Sequence, residues 1–390
     1  MWRFFFQYGL IVYCIANVWI VWWFWRALRG KNFLRIFFCI ALIAIMCGFP
    51  LFFRHPGISM PELVMLRIGS VWIGTFLYLF PIILLADLLS LIRTISHRVK
   101  HPYTKRSHSY CAFRCVFLLA LIIAACGFLN ASFPRINEIT ITAEVENTEH
   151  LHLPDNTLTI AAISDVHLGR LVDADFLSDS LERIVRYKPD VLFVLGDLID
   201  DRLLLDREKI AGAFAQIQPR FGIWGILGNH EYISGEADGA IELMRNAGIQ
   251  LLRDETSILG DSVLVIGRDD YSKSRFTGEA RATLRSIIEK VPEAQKSLPV
   301  IVLDHQPRNL RDAEEIGAVL QLSGHTHNGQ LWPFNYVVER VYENARGFSK
   351  RGDTNYFVTI GAGTWGPRVR NNARPEVVLI RLKFEEKNAD

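Results

Sequence analysis

Apolar residues run almost unbroken through the first third of the chain and break into short bursts after about residue 134. Four long stretches stand out, at about Phe4–Trp25, Phe33–Phe53, Ile68–Ile92 and Ala112–Phe133. Each reaches the ~20 residues that a helix needs to cross a hydrocarbon core, and the low charge along these runs argues against a buried soluble bundle. The first is too long and too aromatic for a cleaved leader, and no small-residue cleavage site follows it. Trp19, Trp22, Trp23 and Trp25 read as an interfacial belt. The pattern therefore predicts a four-helix transmembrane region over 1–134, with a second domain over 135–390.

The second region has a different rhythm. Residues 138–145 alternate polar and apolar at period two, as a half-buried strand does. From Leu158 onward, short apolar runs alternate with helical patterns. Asp173–Tyr187 places Phe176, Leu177, Leu181, Ile184 and Val185 at helical spacing behind a capping Asp173. Further amphipathic helices are predicted at 206–218, 239–247 and 277–291, and strands at 356–360 and 377–382. This order implies an α/β domain with largely parallel connections, in which ligands gather at the carboxyl ends of the strands.

Chemistry sits at those ends. Five apolar runs each deliver polar ligand-type residues: Asp165-Val-His167, Gly196-Asp197-Leu-Ile-Asp200, Gly228-Asn229-His230-Glu231, Asp304-His305, and Gly324-His325-Thr-His327. Asp165 and His167 are two apart, so a continuing strand would aim both at one face. Of 11 histidines, all five after His152 lie in these motifs. Ordinary core or surface histidines would scatter, so the pattern reads as a metal site built from carboxylates and imidazoles.

Charge adds orientation. The formal net charge is only +2, which argues against a nucleic-acid binder with its basic stripe. Arg26, Arg29, Lys31 and Arg35 mark the first join between apolar stretches. Arg93, Arg98, Lys100, Lys105, Arg106 and Arg114 mark the third, and the second has two basic residues and Glu62. The positive-inside rule places joins one and three in the cytoplasm. A multi-pass cytoplasmic-membrane protein with an extracytoplasmic catalytic domain follows. All six cysteines fall in or beside the apolar region, which agrees weakly with an oxidising compartment for the rest. Asp87, with Asn17 as a polar companion, is the main polar exception within the predicted spans.

The five motifs, taken in order, resemble the calcineurin-like metallophosphoesterase superfamily, and the Gly-His-Thr-His-Asn-Gly-Gln330 block is most similar to its membrane-associated bacterial YkuE-like branch. The resemblance implies a four-layer α/β/β/α sandwich holding two divalent metal ions. Carried over, Asp165, His167, Asp197 and His327 would hold one metal. Asp197, as the bridge, would hold the other with Asn229, His305 and His325. Two ions ~3.5–4 Å apart can clamp the attacking and leaving oxygens of an in-line displacement, with a bridging hydroxide as the attacker. His230 would be the proton donor to the leaving oxygen, while Asp200 and Glu231 would orient histidines. The donor set suits Mn, Fe, Zn or Co, with Mn favoured by analogy. Arg368, Arg370 and Trp365 belong to a basic segment that reads either as a solvated face or as a lip for an anionic head group.

The function implied is hydrolysis of a phosphomonoester, phosphodiester or pyrophosphate bond at the membrane lipid bilayer, with a lipid or lipid-linked substrate as one candidate. Rival readings are a nucleotide-sugar-lipid pyrophosphatase on the cytoplasmic face, a non-catalytic metal-binding membrane scaffold, and a transporter regulated by its second domain. Every ligand position is filled, and the spans carry few ionisable groups, so the enzyme reading leads.

Overall fold

The computed structural model describes residues 2–27, 32–48, 59–100, 110–200, 206–235 and 237–387. Two compact units emerge: residues 1–128 with 366–369, and residues 129–365 with 370–390.

The first unit is helical, with α1 (Trp2–Ala27), α2 (Asn32–Gly48), α3 (Met60–Lys100) and the start of α4 (Tyr110–Ser132). Three helices contain windows long and apolar enough to cross a membrane: Tyr8–Trp25, Met60–Leu89 and Cys115–Ser132. At 17 residues α2 is shorter. It rises only ~26 Å at 1.5 Å per residue, against the ~30 Å of a hydrocarbon core. The rest of the second predicted span, after residue 48, lies outside the described residues. The third begins eight residues earlier than expected and continues to Lys100, so Arg93, Arg98 and Lys100 extend a helix instead of forming a loop. Inside this unit, Trp72 Nε1 donates to Asn17 Oδ1 (3.0 Å), Asn17 Nδ2 to the Tyr13 carbonyl (2.7 Å), and Tyr13 to the Met46 carbonyl (3.1 Å). Trp23 Nε1 reaches Asp87 Oδ1 at 3.3 Å. Asn17 and Asp87 thus have helix-tying partners, which suits polar groups placed among apolar helices.

The second unit contains two six-stranded sheets. Its strands are β1 (Arg135–Val145), β2 (Thr157–Ile163), β3 (Val191–Leu195), β4 (Ile223–Ile226), β5 (Gln250–Leu251), β6 (Glu255–Leu259), β7 (Val263–Gly267), β8 (Val300–Leu303), β9 (Leu320–Ser323), β10 (Gly347–Arg351), β11 (Thr354–Val358) and β12 (Glu376–Glu386). One sheet has the order β1-β12-β2-β3-β4-β5, the other β10-β11-β9-β8-β7-β6. Neighbours are parallel except at β12–β2, β10–β11 and β6–β7.

Strand periodicity makes the layers. Leu158, Ile160 and Ala162 of β2 and Phe193 of β3 face Val263, Val265, Ile301, Leu303 and Leu320 of the other sheet in a shared core. The intervening Ala161, Ile163, Leu192 and Val194 pack against α5 (Ala174–Val185), α6 (Arg207–Ala215) and, beyond α7 (Asn229–Ile233), α8 (Ala237–Asn246). On the far side, Leu264, Ile266, Val300 and Val302 pack beneath another helical layer. That region contains α9 (Lys273–Thr277), α10 (Leu284–Ile288), α11 (Glu293–Lys296) and α12 (Arg311–Glu315), with α13 (Asn335–Val341) after β9. The result is the four-layer α/β/β/α order. The helix expected over 277–291 is broken: Gly278, left-handed at φ 78°, ends α9, and Thr283 caps α10 through the Ser286 amide. Asp173 caps α5 through the Phe176 amide.

Candidate metal centre

The site forms where loops leave both sheets, and backbone geometry places the side chains more than strand parity does. β2 ends at Ile163, before Asp165 and His167. Both then adopt left-handed backbone, φ 54° and 55°, as do Asp197 (48°), His325 (71°) and His327 (46°). Non-glycine residues seldom sit there, although Asp and His tolerate it better than most. Such strain persists only where surrounding contacts over-determine it.

Those contacts are visible. The Asp165 amide donates to the Gly196 carbonyl (3.1 Å) and the His167 amide to the Asp197 carbonyl (3.0 Å). Glu231, fully buried, accepts from the amides of Gly228 (2.8 Å), Asp197 (3.1 Å) and Ile199 (3.0 Å). Glu231 therefore clamps backbone, where histidine orientation was expected. The glycines of the motifs make room. A Cβ on Gly228 would lie 2.2 Å from Asp197 Oδ1, and one on Gly324 would lie 2.4 Å from Asp165 Oδ2.

Three groups of ligand-type atoms come together: Asp165, His167 and His327; Asp197, His305 and His325; and His167, Asp197 and His230. Asp197 is common to two of them. His305 Nε2 lies 3.2 Å from Asp197 Oδ2, and His327 Nε2 3.5 Å from Asp165 Oδ1. His167 Nε2 and His327 Nε2 face each other at 3.0 Å. Asn229 is buried at the start of α7, and its Oδ1 has no hydrogen-bond partner; neither has His305 Nε2. Buried polar atoms left without partners are costly, and a cation would satisfy both. His305 Nδ1 is 2.7 Å from the Leu195 carbonyl. That oxygen can only accept, so Nδ1 carries a proton and Nε2 is the nitrogen turned towards the cluster. The donor set fits divalent metal binding.

The electrostatics separate the histidines. Burial alone would depress His230, but the Asp197 charge and the Asp200 hydrogen bond outweigh it and hold its pKa up to about 9. Burial, and then the charge of His305, push His325 down to about 3. Asp200 Oδ1 lies 2.6 Å from His230 Nδ1 and 3.9 Å from His167 Nδ1. Burial opposes ionisation of Asp200, yet the neighbouring His167 and the hydrogen bond to His230 hold it below the usual carboxylate range.

Of the three expected substrate contacts, Trp365 is half exposed and its ring centroid lies 5.9 Å from that of His230. Gln330 holds it, accepting from the Trp365 amide (3.0 Å) and donating to the Trp365 carbonyl (3.1 Å). Arg368 places its guanidinium over the Phe128 ring at 5.7 Å. Arg370 corrects the expectation of a solvent-facing lip. It is fully buried, with Nη2 2.7 Å from His327 Nδ1 and Nη1 donating to the Gly361 carbonyl. Burial lowers its pKa to about 10 against the pull of Asp165 and Glu376. A donor-only guanidinium leaves the His327 proton at Nε2, facing His167. His327 would offer Nε2 to a cation, with Arg370 fixing the ring from its other edge. Sequence spacing offered no signal for this contact, which joins residues 43 apart.

Known proteins place this geometry. The sequence profile described as "Calcineurin-like phosphoesterase" matches residues 158–329. A protein of Aquifex aeolicus named "Uncharacterized metallophosphoesterase" is 31% identical over 273 residues, 68% of this chain and 98% of its own length. A Campylobacter jejuni metallophosphoesterase is 29% identical over 72% of this chain and 73% of its own length. The Danio rerio "Transmembrane protein with metallophosphoesterase domain" is 28% identical over 68% of this chain and 61% of its own length. With imidazoles and carboxylates converging where all the motifs meet, the chain belongs to the calcineurin-like phosphoesterases and is a metal-dependent phosphoester hydrolase.

Proposed function

We propose a membrane-anchored phosphoesterase with two divalent ions, acting outside the cytoplasm on a lipid or lipid-linked substrate. The observation that carries the two-ion reading is Asp197, shared between two groups of ligand-type side chains. Asp165, His167, Asp197 and His327 would hold one ion, and Asp197, Asn229, His305 and His325 the other. When bound, such a pair supplies Lewis-acid charge stabilisation and a nucleophilic water at neutral pH.

The chain's own residues do the rest. His230, oriented through Nδ1 by Asp200, is placed to donate a proton to the leaving oxygen. Trp365, standing beside His230, offers an apolar wall to the substrate. Arg370 keeps the His327 ring from rotating away.

Membrane anchoring is supported by three helices of spanning length, and, with α2 as a fourth crossing, the basic residues of joins one and three support the outward orientation. The lipid reading is supported by Trp332, Phe334, Tyr336, Val337 and Val341, large apolar side chains that are all exposed on and beside α13. Aromatic residues grouped this way suit a bilayer interface. The test is a metal-reconstituted assay of the full chain on phosphoesters with and without acyl tails. A preference of at least ten-fold in kcat/KM for the lipid forms is expected, and equal rates would remove the lipid proposal. A reporter fused after Asp390 should be active only outside the cytoplasm.

A further inference from the structure

Beside the metal centre lies a pocket of about 240 Å³ lined by Tyr271, Pro307, Arg308, Leu310, Val341 and Tyr342, among others. It is smaller than the ~300 Å³ or more of a typical ligand site, so it suits part of a substrate. Two features join it to the centre. Arg308 follows His305 by three residues, and the Tyr342 ring lies 5.9 Å from the His325 ring.

Arg308 is held in a specific pose. Its guanidinium lies over the rings of Tyr271 (5.1 Å) and Tyr342 (5.4 Å). Its Nε donates to Gln306 Oε1 at 2.9 Å, and Gln306 Nε2 is fixed by both oxygens of the buried Asp270. Nothing neutralises it: among the described residues no carboxylate lies within ion-pair distance of Arg308. Glu343, the pocket's one carboxylate, is taken by Arg351 at 2.8 Å. An oriented, half-buried guanidinium between two aromatic rings, with its outer nitrogens free of acid, matches a phosphoryl group.

We infer that this pocket is a subsite for a second phosphoryl group, so that the substrate carries two phosphoryl groups joined in a diphosphate linkage. One would sit at the metal centre and the other on Arg308, with the Tyr271 face, half exposed, beside whatever the second bears. This rests on the reading of the metal centre given above and specifies its substrate.

The test uses the full chain, Mn-loaded in detergent, and compares affinity for methylenediphosphonate with affinity for methylphosphonate by calorimetry. The metal centre itself favours the diphosphonate, but that preference is common to wild type and variant, so a change in the ratio isolates the pocket. Arg308→Gln should lower the ratio about ten-fold or more, the size expected for losing a charge-assisted hydrogen bond. Arg308→Lys, which keeps charge but not the fork, should fall between. An unchanged ratio in Arg308→Gln, including an equal loss of both affinities, overturns the subsite. Metal-dependent hydrolysis of either p-nitrophenyl phosphate or ADP by the wild type reports separately on the catalytic reading. Its absence with an intact ratio effect would sink that reading and leave the subsite standing.

Discussion

The two sheets contribute unlike chemistry to one site. The sheet containing β2, β3 and β4 delivers Asp165, Asp197 and Asn229, the site's oxygen donors, together with His167 and His230. The sheet containing β8 and β9 delivers only imidazoles, from His305, His325 and His327. The first set is cross-linked backbone to backbone, with Glu231 gathering three amides. The second is pinned to the first from outside: His325 donates its amide to both oxygens of Asp165, and His305 reaches the Leu195 carbonyl. One edge therefore sets the frame and the charge, and the other adds imidazole nitrogens alone.

That asymmetry can be broken in graded steps. Asp197→Asn should have the largest effect, removing the shared carboxylate from both groups. Metal analysis should show lost ions and the assay no turnover, and native metal content would refute the sharing. Next, His230→Ala should keep its metals and lose about 10²–10⁴-fold in kcat, the usual worth of a positioned general acid.

The pH profile sharpens the same point. A donor whose pKa is raised works below that pKa and fails as pH climbs through it. The activity should therefore fall on the alkaline side at or below about 9, since bound cations lower the value for His230. Asp200→Asn removes a carboxylate that raises it, so the alkaline limb should move to lower pH, with kcat down about 10–100-fold. The smallest effect belongs to Glu231→Gln, which weakens the frame without touching the reacting groups. It should cost about 1–3 kcal/mol, read as a lower Tm in the metal-loaded protein.

Much of this architecture was legible because it is written locally. Short apolar runs ending in polar residues marked β2, β3, β8 and β9, a period-two run marked β1, and Asp173 announced α5. What failed were inferences that carried a regular element too far. Parity in a continuing strand does not bring Asp165 and His167 together, because both turn left-handed after β2 stops. The helix expected over 277–291 ignored Gly278. Contacts set by tertiary packing left no trace either, such as Arg370 against His327 or Gln330 around Trp365. Burial decided Arg370, and a sequence alone does not say which arginine loses its water.

β12 lies between β1 and β2, so Arg135 at the head of the unit is paired with Glu376, 241 positions later. On the ribosome, then, β1 emerges 241 residues ahead of the partner it pairs with. Order of birth and order of assembly diverge, and the nascent domain must keep an unpaired strand edge open until β12 has emerged.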